Sequence, residues 1–459
     1  MVVHALTQFH ENAAAIDWWR RHLCRLLLWL TPPARRRALL AIAALWVGID
    51  ATLALLAKHK ALPIPGDSLG AGLVVIAQFA LLWVVYRAAA NFSSLPAAMR
   101  RHPVLALHSS YWALLAVLWL TPPSAGLWRS VLFALAILYP LLLWRCSYML
   151  LAGQYGRMAG TGFADHLFYL WPAYGGAHTP YGNGFAYLSQ REAKTTEELA
   201  RAQLAGIKLL ILALVWCLVL SVYNGIFYGP GNELTQVVGG YTLGVPKMAS
   251  MLELGGKAPV GLAWASIYGE LFERVLKLAI KGHIIVGVLR LCGFNVFRNT
   301  YKPLLAESIV EFWNRYYYYF KELLANFFFL PTFAGLGKAL RKWPNLRLFA
   351  SVFAAAFVGN LYYHVIQDPA SLAEGLVYRS LSGHKSHAFY CLLLSTGIFV
   401  SMLREKNRRG VSPDSRRAPR LVRIVSVWTF FGLIFIWNAG GDATFLTRVY
   451  FFLGLFGLA

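Results

Sequence analysis

Charge is what this sequence most lacks. Only 14% of its 459 residues are Asp, Glu, Lys or Arg, against roughly 25% in soluble domains, too few to cover a soluble protein of this size. Acidic residues are scarcest, 20 against 43 Lys and Arg, for a formal net charge of +23. Cysteine is sparse too. Cys24, Cys146, Cys217, Cys292 and Cys391 lie far apart and mostly in apolar runs, offering no disulfide framework, CxxC pair or metal-ligand spacing. They read as small packing residues. There is no G-x-S-x-G nucleophile motif, and no internal repeat, which weakens an inverted-repeat transporter reading. The residues up to His22 lack the basic start and apolar core of a signal peptide. Together these absences argue against a secreted disulfide scaffold, a disordered chain and an ordinary soluble enzyme.

Apolar residues are abundant instead: 58% of the chain is hydrophobic, compared with about 45–50% in soluble domains. Runs near 38–57, 69–86, 104–120, 128–151, 206–228, 258–272, 275–293, 346–366, 387–404, 421–438 and 444–459 approach the roughly 20 residues that a membrane-crossing helix needs. They predict an all-α polytopic membrane protein of about 11 transmembrane helices. The stretch from His22 to Leu30, with Arg25 among leucines and tryptophan, reads as an interfacial helix.

Basic residues cluster between these runs. Arg35, Arg36 and Arg37 precede the first, and Arg87, Arg100 and Arg101 follow the second. Arg145, Arg157, Arg191, Lys194, Arg201 and Lys208 are assigned between the fourth and fifth, and a late loop holds eight more from Arg404 to Arg423. The positive-inside rule accounts for this pattern and places the N-terminus in the cytoplasm. Lipid headgroups then suffice as the partner of the basic charge, and no nucleic acid is needed.

Two stretches break the apolar pattern. Residues 153–200 are rich in Gly, Tyr and Pro, and residues 294–345 mix aromatics, Asn and Lys with apolar residues. Polar or irregular backbone at membrane depth must be buried in protein or line a wet cavity, so a functional chamber is expected there. Just beyond, His364 follows the run Leu346–Tyr363, whose only charge is Arg347, with Asn360 one helical turn earlier on the same face. An ionisable group in such a place is a functional candidate, and the amide could orient the imidazole. A buried histidine satisfied by a neighbouring carbonyl is the structural alternative. His384 and His387 are three apart and lack a partner cluster for a metal.

The run Pro303, Ala306, Ser308, Glu311-Phe312-Trp313, Arg315 and Leu330-Pro331 resembles the signature block of membrane-bound O-acyltransferases. Gly293-Phe294-Asn295 and Asn299 fit the residues leading into that block. Phe168-Tyr169-Leu170-Trp171-Pro172-Ala173-Tyr174-Gly175-Gly176 is similar to an upstream family segment, and Tyr362-Tyr363-His364 falls where the family has Leu-Trp-His. The resemblance covers roughly residues 140–405. It divides the chain into an N-terminal segment with the first spans (1–139), a core (140–405), and a basic cytoplasmic loop with the last spans (406–459). The departures are specific. Tyr316 and Tyr317 stand where relatives carry Trp-His or a polar second residue, Ala325-Asn326-Phe327 replaces Arg-Asp-Tyr, and Val365 replaces a Gly.

The resemblance implies tilted and re-entrant helices around a central chamber. It also implies acyl transfer from a thioester, acyl-CoA or acyl carrier protein, to an acceptor hydroxyl. No metal or tightly bound cofactor is implied, and a carrier protein is a candidate partner beside membrane lipids. His364 is then the general base, with Tyr317 or Asn314 as the second catalytic group. Asn360, Arg315 and Asn326 are candidate substrate-binding residues. A histidine suits the reaction because an alcohol is a weak nucleophile at neutral pH. The oxyanion needs a donor that Tyr317, Asn314 or Asn360 could supply. Arg315 could pair with Glu311 four residues earlier or face a donor phosphate; the spacing favours the pair. A bacterial inner-membrane enzyme is the resulting expectation. A transporter or lipid-handling protein, or a catalytically degenerate scaffold prompted by Tyr317, are the alternatives.

Overall fold

The longest apolar runs form the longest helices. The computed structural model describes residues 8–23, 37, 41, 68–168, 184–229, 242–376, 383–407, 419–441 and 443–459. Among the described residues helices dominate, and the only β pairing is an isolated antiparallel bridge between Glu192 and Phe294. Seven helices are long and apolar enough to cross a membrane: Gly72–Ala90, Pro103–Leu120, Leu127–Gln154, Thr196–Tyr228, Pro344–Ile366, Lys385–Asn407 and Arg420–Asn438. The chain is thus a helical membrane protein with several spanning segments.

The difference from about 11 expected spans has definite sources. The run 38–57, Ala41 apart, lies outside the described residues, as does 22–30 beyond Leu23. The last run folds as Phe445–Gly454, only 10 residues, or roughly 15 Å of helix. The runs 258–272 and 275–293 are one helix, Val260–Leu291, of 32 residues. The charges that divided the two runs in sequence instead support its backbone: Glu270 pairs with Arg274 at 2.9 Å and Glu273 with Lys277 at 2.7 Å, both at i,i+4. Arg145 is a further correction. It lies not in a cytoplasmic loop but inside Leu127–Gln154, 1% exposed.

The described fold divides into two units. The first comprises Met1–Ile207, Val288–Phe297 and His364–Leu381; the second comprises Lys208–Gly287, Arg298–Tyr363 and Ser382–Ala459.

In the first unit, Ser68–Ala90 and Pro103–Leu120 both pack on Leu127–Gln154. Gly153 allows the close crossing, since a Cβ there would sit 2.4 Å from the carbonyl oxygen of Ala89. The Ala13–His22 helix, capped by the Asn12 side chain, buries Ile16 against Ala193, Leu199, Ala200 and Leu204. Its Trp19 Nε1 donates to Gln203 Oε1 at 2.9 Å. The long helix Thr196–Tyr228 starts with a reciprocal capping box. Thr195 Oγ1 accepts from the Glu198 amide, and Glu198 Oε2 accepts from the Thr195 amide.

The second unit holds the segmented stretch as far as Tyr363. Residues 303–366 form a series of short pieces: a 3-10 turn Pro303–Leu305, helices Ile309–Tyr316 and Tyr318–Leu324, a π segment Ala325–Phe329, and helix Leu330–Gly335. After a turn come Pro344–Phe353, a second π segment Ala354–Gly359, and Asn360–Ile366. Helices Lys385–Asn407 and Arg420–Phe435 pack beside this series.

Candidate functional site

The Ile309–Tyr316 helix begins where the sequence provides a cap. Ser308 Oγ accepts from the Glu311 amide at 3.1 Å and donates to Glu405 Oε1 at 2.7 Å. Glu311 Oε2 accepts from the Glu307 amide, and its other oxygen meets Arg315 at 2.5 Å. Arg315 is therefore engaged in the helix-surface pair that its spacing suggested. Glu307 is held by Arg420 at 3.0 Å and Arg423 at 2.6 Å, two cations at the start of the Arg420–Phe435 helix. Of the basic loop before them, residues 408–418 lie outside the described residues. Trp428 Nε1 donates to the Leu304 carbonyl, and the rings of Phe312 and Phe431 stack at 3.9 Å. These contacts dock the block against its neighbours in the same unit.

The joint between Ile309–Tyr316 and Tyr318–Leu324 is Tyr317, with φ −143° and ψ 67°. A short extended stretch supports it. The Asn299 carbonyl accepts from the Tyr318 amide at 3.0 Å, Asn299 Oδ1 accepts from the Tyr319 amide at 3.2 Å, and Thr300 Oγ1 donates to the Tyr316 carbonyl. Lys302 takes a left-handed conformation (φ 50°) just before Pro303, which turns the chain so that its carbonyl accepts from Arg315. An aromatic cluster follows: Phe320 lies 6.1 Å from Trp313, 5.3 Å from Tyr317 and 4.9 Å from Tyr363.

Burial, with Tyr363 and Tyr316 nearby, pushes the Tyr317 phenol well above its ordinary range. Burial raises Tyr316 to about 12. Both phenols keep their protons at neutral pH, so Tyr317 can donate a hydrogen bond and cannot serve as a base.

The two π segments pack on one another within the second unit. Their contact requires a glycine, because a Cβ at Gly359 would fall 2.6 Å from Cδ2 of Phe328. Single-turn π interruptions recur at functional sites. Asn326 lies half-buried in the first segment; Asn360 follows the second directly, 1% exposed, with its Oδ1 enclosed and without a hydrogen-bond partner. Asn314 is exposed on the Ile309–Tyr316 helix. His364, half-buried, is one turn beyond Asn360 in Asn360–Ile366. The division between the units falls inside that helix. Asn314, Arg315, Tyr317, Asn326 and Asn360 therefore belong to the second unit and His364 to the first.

Several residues had no warning in the sequence. Asn299 emerges as a structural hub, whereas the sequence placed it only in the run leading into the signature block. Within the first unit, His108 Nε2 lies 3.2 Å from Ser147 Oγ, and Ser110 Oγ lies 2.6 Å from Tyr139 OH, all inside apolar runs. The upstream segment Phe168–Gly176 lies outside the described residues beyond Phe168. Among the described residues no group of three or more His, Cys, Asp or Glu could hold a metal ion.

The structure thus defines a class: a helical membrane protein with several spanning helices and an interrupted helical block rich in tyrosine and amide side chains. Compared with models of protein families and with curated proteins, the sequence matches none of them.

Proposed function

We propose that this protein is a membrane-embedded O-acyltransferase of the membrane-bound O-acyltransferase type, residing in a bacterial inner membrane with a cytoplasmic N-terminus. It moves an acyl group from a thioester, acyl-CoA or acyl carrier protein, to a hydroxyl of an acceptor. His364 is the general base that takes the hydroxyl proton as the carbonyl is attacked. Tyr317 is a protonated donor beside the reacting groups, and Asn360, Asn326 and Asn314 supply candidate polar contacts. Arg315 is a structural partner of Glu311 in this reading. A chamber enclosed by the interrupted helices admits donor and acceptor.

The observation that carries the reading is the pair of packed π segments, one running directly into the helix that bears Asn360 and His364. A regular spanning helix has no need of such an interruption. Its presence beside an enclosed amide and a histidine supports a site rather than a simple span.

The test is His364→Ala in purified protein. Thioester consumption should fall by about 10²–10⁴-fold, the usual contribution of a positioned base, while helical content and thermal unfolding stay close to wild type. Unchanged product formation would overturn the assignment. Substrate flux across vesicles without thioester consumption would identify a transporter instead.

A further inference from the structure

Three cations stand together on the turn between Leu330–Gly335 and Pro344–Phe353. Lys338, Arg341 and Lys342 are all exposed, and none makes an ion pair or a side-chain hydrogen bond among the described residues. No Asp or Glu occurs anywhere in residues 323–367. The turn is held in one shape. The Leu340 amide donates to the Leu336 carbonyl at 2.9 Å and the Trp343 amide to the Leu340 carbonyl at 3.0 Å. Arg347 closes it, its Nε donating to the Phe333 carbonyl at 2.6 Å and its guanidinium lying 3.6 Å from the centre of the Phe333 ring. The end of Lys385–Asn407 is tied in as well, since Lys406 Nζ donates to Asn345 Oδ1 at 2.9 Å. The adjacent Glu405 is engaged elsewhere, accepting from Ser308 Oγ.

The order of side chains along the chain is that of a membrane surface. Trp343, 65% exposed, follows the cations directly. Leu346 and Phe349, three apart and so neighbours on the helix surface, are exposed on a helix long and apolar enough to cross a membrane. Charge, then indole, then hydrocarbon is the succession met on passing from water through headgroups to lipid tails. An acidic protein partner would meet cations set among polar neighbours; here they border an apolar wall.

We infer that this turn is a docking surface for the headgroup phosphates of anionic phospholipids. Lys338, Arg341 and Lys342 face the phosphates, and Trp343 is the interfacial anchor. The chemistry is complementary, because the ammonium and guanidinium groups only donate hydrogen bonds and ionised phosphate oxygens accept them. The two arms of the turn lead to the two π segments, so lipid held at the turn fixes where that pair sits in the bilayer. The surface exists whether or not the protein transfers acyl groups.

The probe is phosphatidylglycerol, titrated into the full-length protein in neutral detergent and counted by native mass spectrometry against phosphatidylcholine. Each cation beside an anionic headgroup is worth about fivefold, so the wild type should prefer phosphatidylglycerol by about tenfold or more, and less in high salt. Replacing Lys338→Gln, Arg341→Gln and Lys342→Gln together should abolish the preference. Lys257→Gln with Lys281→Gln removes exposed cations elsewhere in the same unit and should leave the preference within about twofold. Equal affinity of the wild type for the two lipids, or a preference that survives the triple substitution, would overturn the proposal. A preference lost equally in the Lys257 and Lys281 control would also overturn it, showing net charge at work instead of this turn. Glycerophosphoglycerol, the same headgroup without chains, should bind far more weakly; equal binding would assign the turn to a free phosphate ligand. Acyl carrier protein, an acidic protein, should not need the three cations to bind; binding that requires them, without a lipid preference, would give the turn to a protein partner. If the triple variant fails to fold, the wild type is read by hydrogen exchange in lipid nanodiscs. Amides of residues 336–347 should exchange about threefold or more slowly when phosphatidylglycerol is present than in phosphatidylcholine alone. Equal rates would overturn the proposal.

Discussion

In the first unit, Pro103–Leu120 and Leu127–Gln154 run as continuous helices, the second even through Pro140. Polar side chains of the two helices meet one another, His108 with Ser147 and Ser110 with Tyr139. In the second unit, residues 303–363 are cut into short α and π pieces, and Asn299 and Asn360 each enclose an amide atom without a hydrogen-bond partner among the described residues. Both regions bury polarity among apolar neighbours. The continuous pair uses its polar groups to hold itself together. The interrupted block uses Asn299 to join its short pieces and encloses the Asn360 oxygen beside the second π segment, a buried polar group of a kind that calls for an explanation.

Three substitutions would sharpen or break this contrast, beyond the test of His364. The largest effect is expected at the interruption itself. Gly359→Ala places a methyl group against the Phe328 ring, and overpacking of this kind costs about 1–3 kcal/mol. Thermal unfolding in detergent should show the loss, together with a fall in thioester turnover. Wild-type stability would mean that the π contact is loose and the contrast overstated. In the continuous pair, Ser147→Ala removes the hydroxyl facing His108. Side-chain hydrogen bonds within membrane helices average about 0.6 kcal/mol, so a small drop in stability with unaltered turnover is expected. A collapse of activity would show that these polar groups do more than pack. Arg315→Gln should matter least. Its pair with Glu311 is partly solvated, worth a few tenths of a kcal/mol, roughly 0.3–0.5. A large rise in KM for the thioester, without loss of stability, would reassign Arg315 to donor binding.

Much of the spanning architecture was legible because hydropathy is additive along a run. Seven of the expected apolar stretches are helices of sufficient length. The failures share a cause. A hydropathy window averages, and so treats Glu270, Glu273, Arg274 and Lys277 as a break, although paired at i,i+4 they continue the Val260–Leu291 helix. The same averaging hides the opposite error at Arg145, one cation read as a loop charge although it lies within a long apolar helix. At the candidate site, the sequence pattern singled out His364, Asn360 and the tyrosine run. The π segments left no trace in it, because Ala354–Gly359 has the composition of any apolar helix. Asn299 could be placed beside the signature block, but that its oxygen is used and its nitrogen is not depends on tertiary contacts with Tyr319 and Gly282.

The π segment Ala354–Gly359 is also a phase shifter. Each wide turn holds an extra residue compared with an α turn, so everything after it is rotated by about one residue's angle, roughly 100°, relative to the register set by Pro344–Phe353. Deleting a single alanine from 354–356 would restore the shorter register while leaving Asn360, Tyr363 and His364 all present in the chain. Those three side chains would then turn away together from the directions they now hold. A lineage could thus lose the proposed site through a one-codon deletion without changing any of the residues proposed to form it.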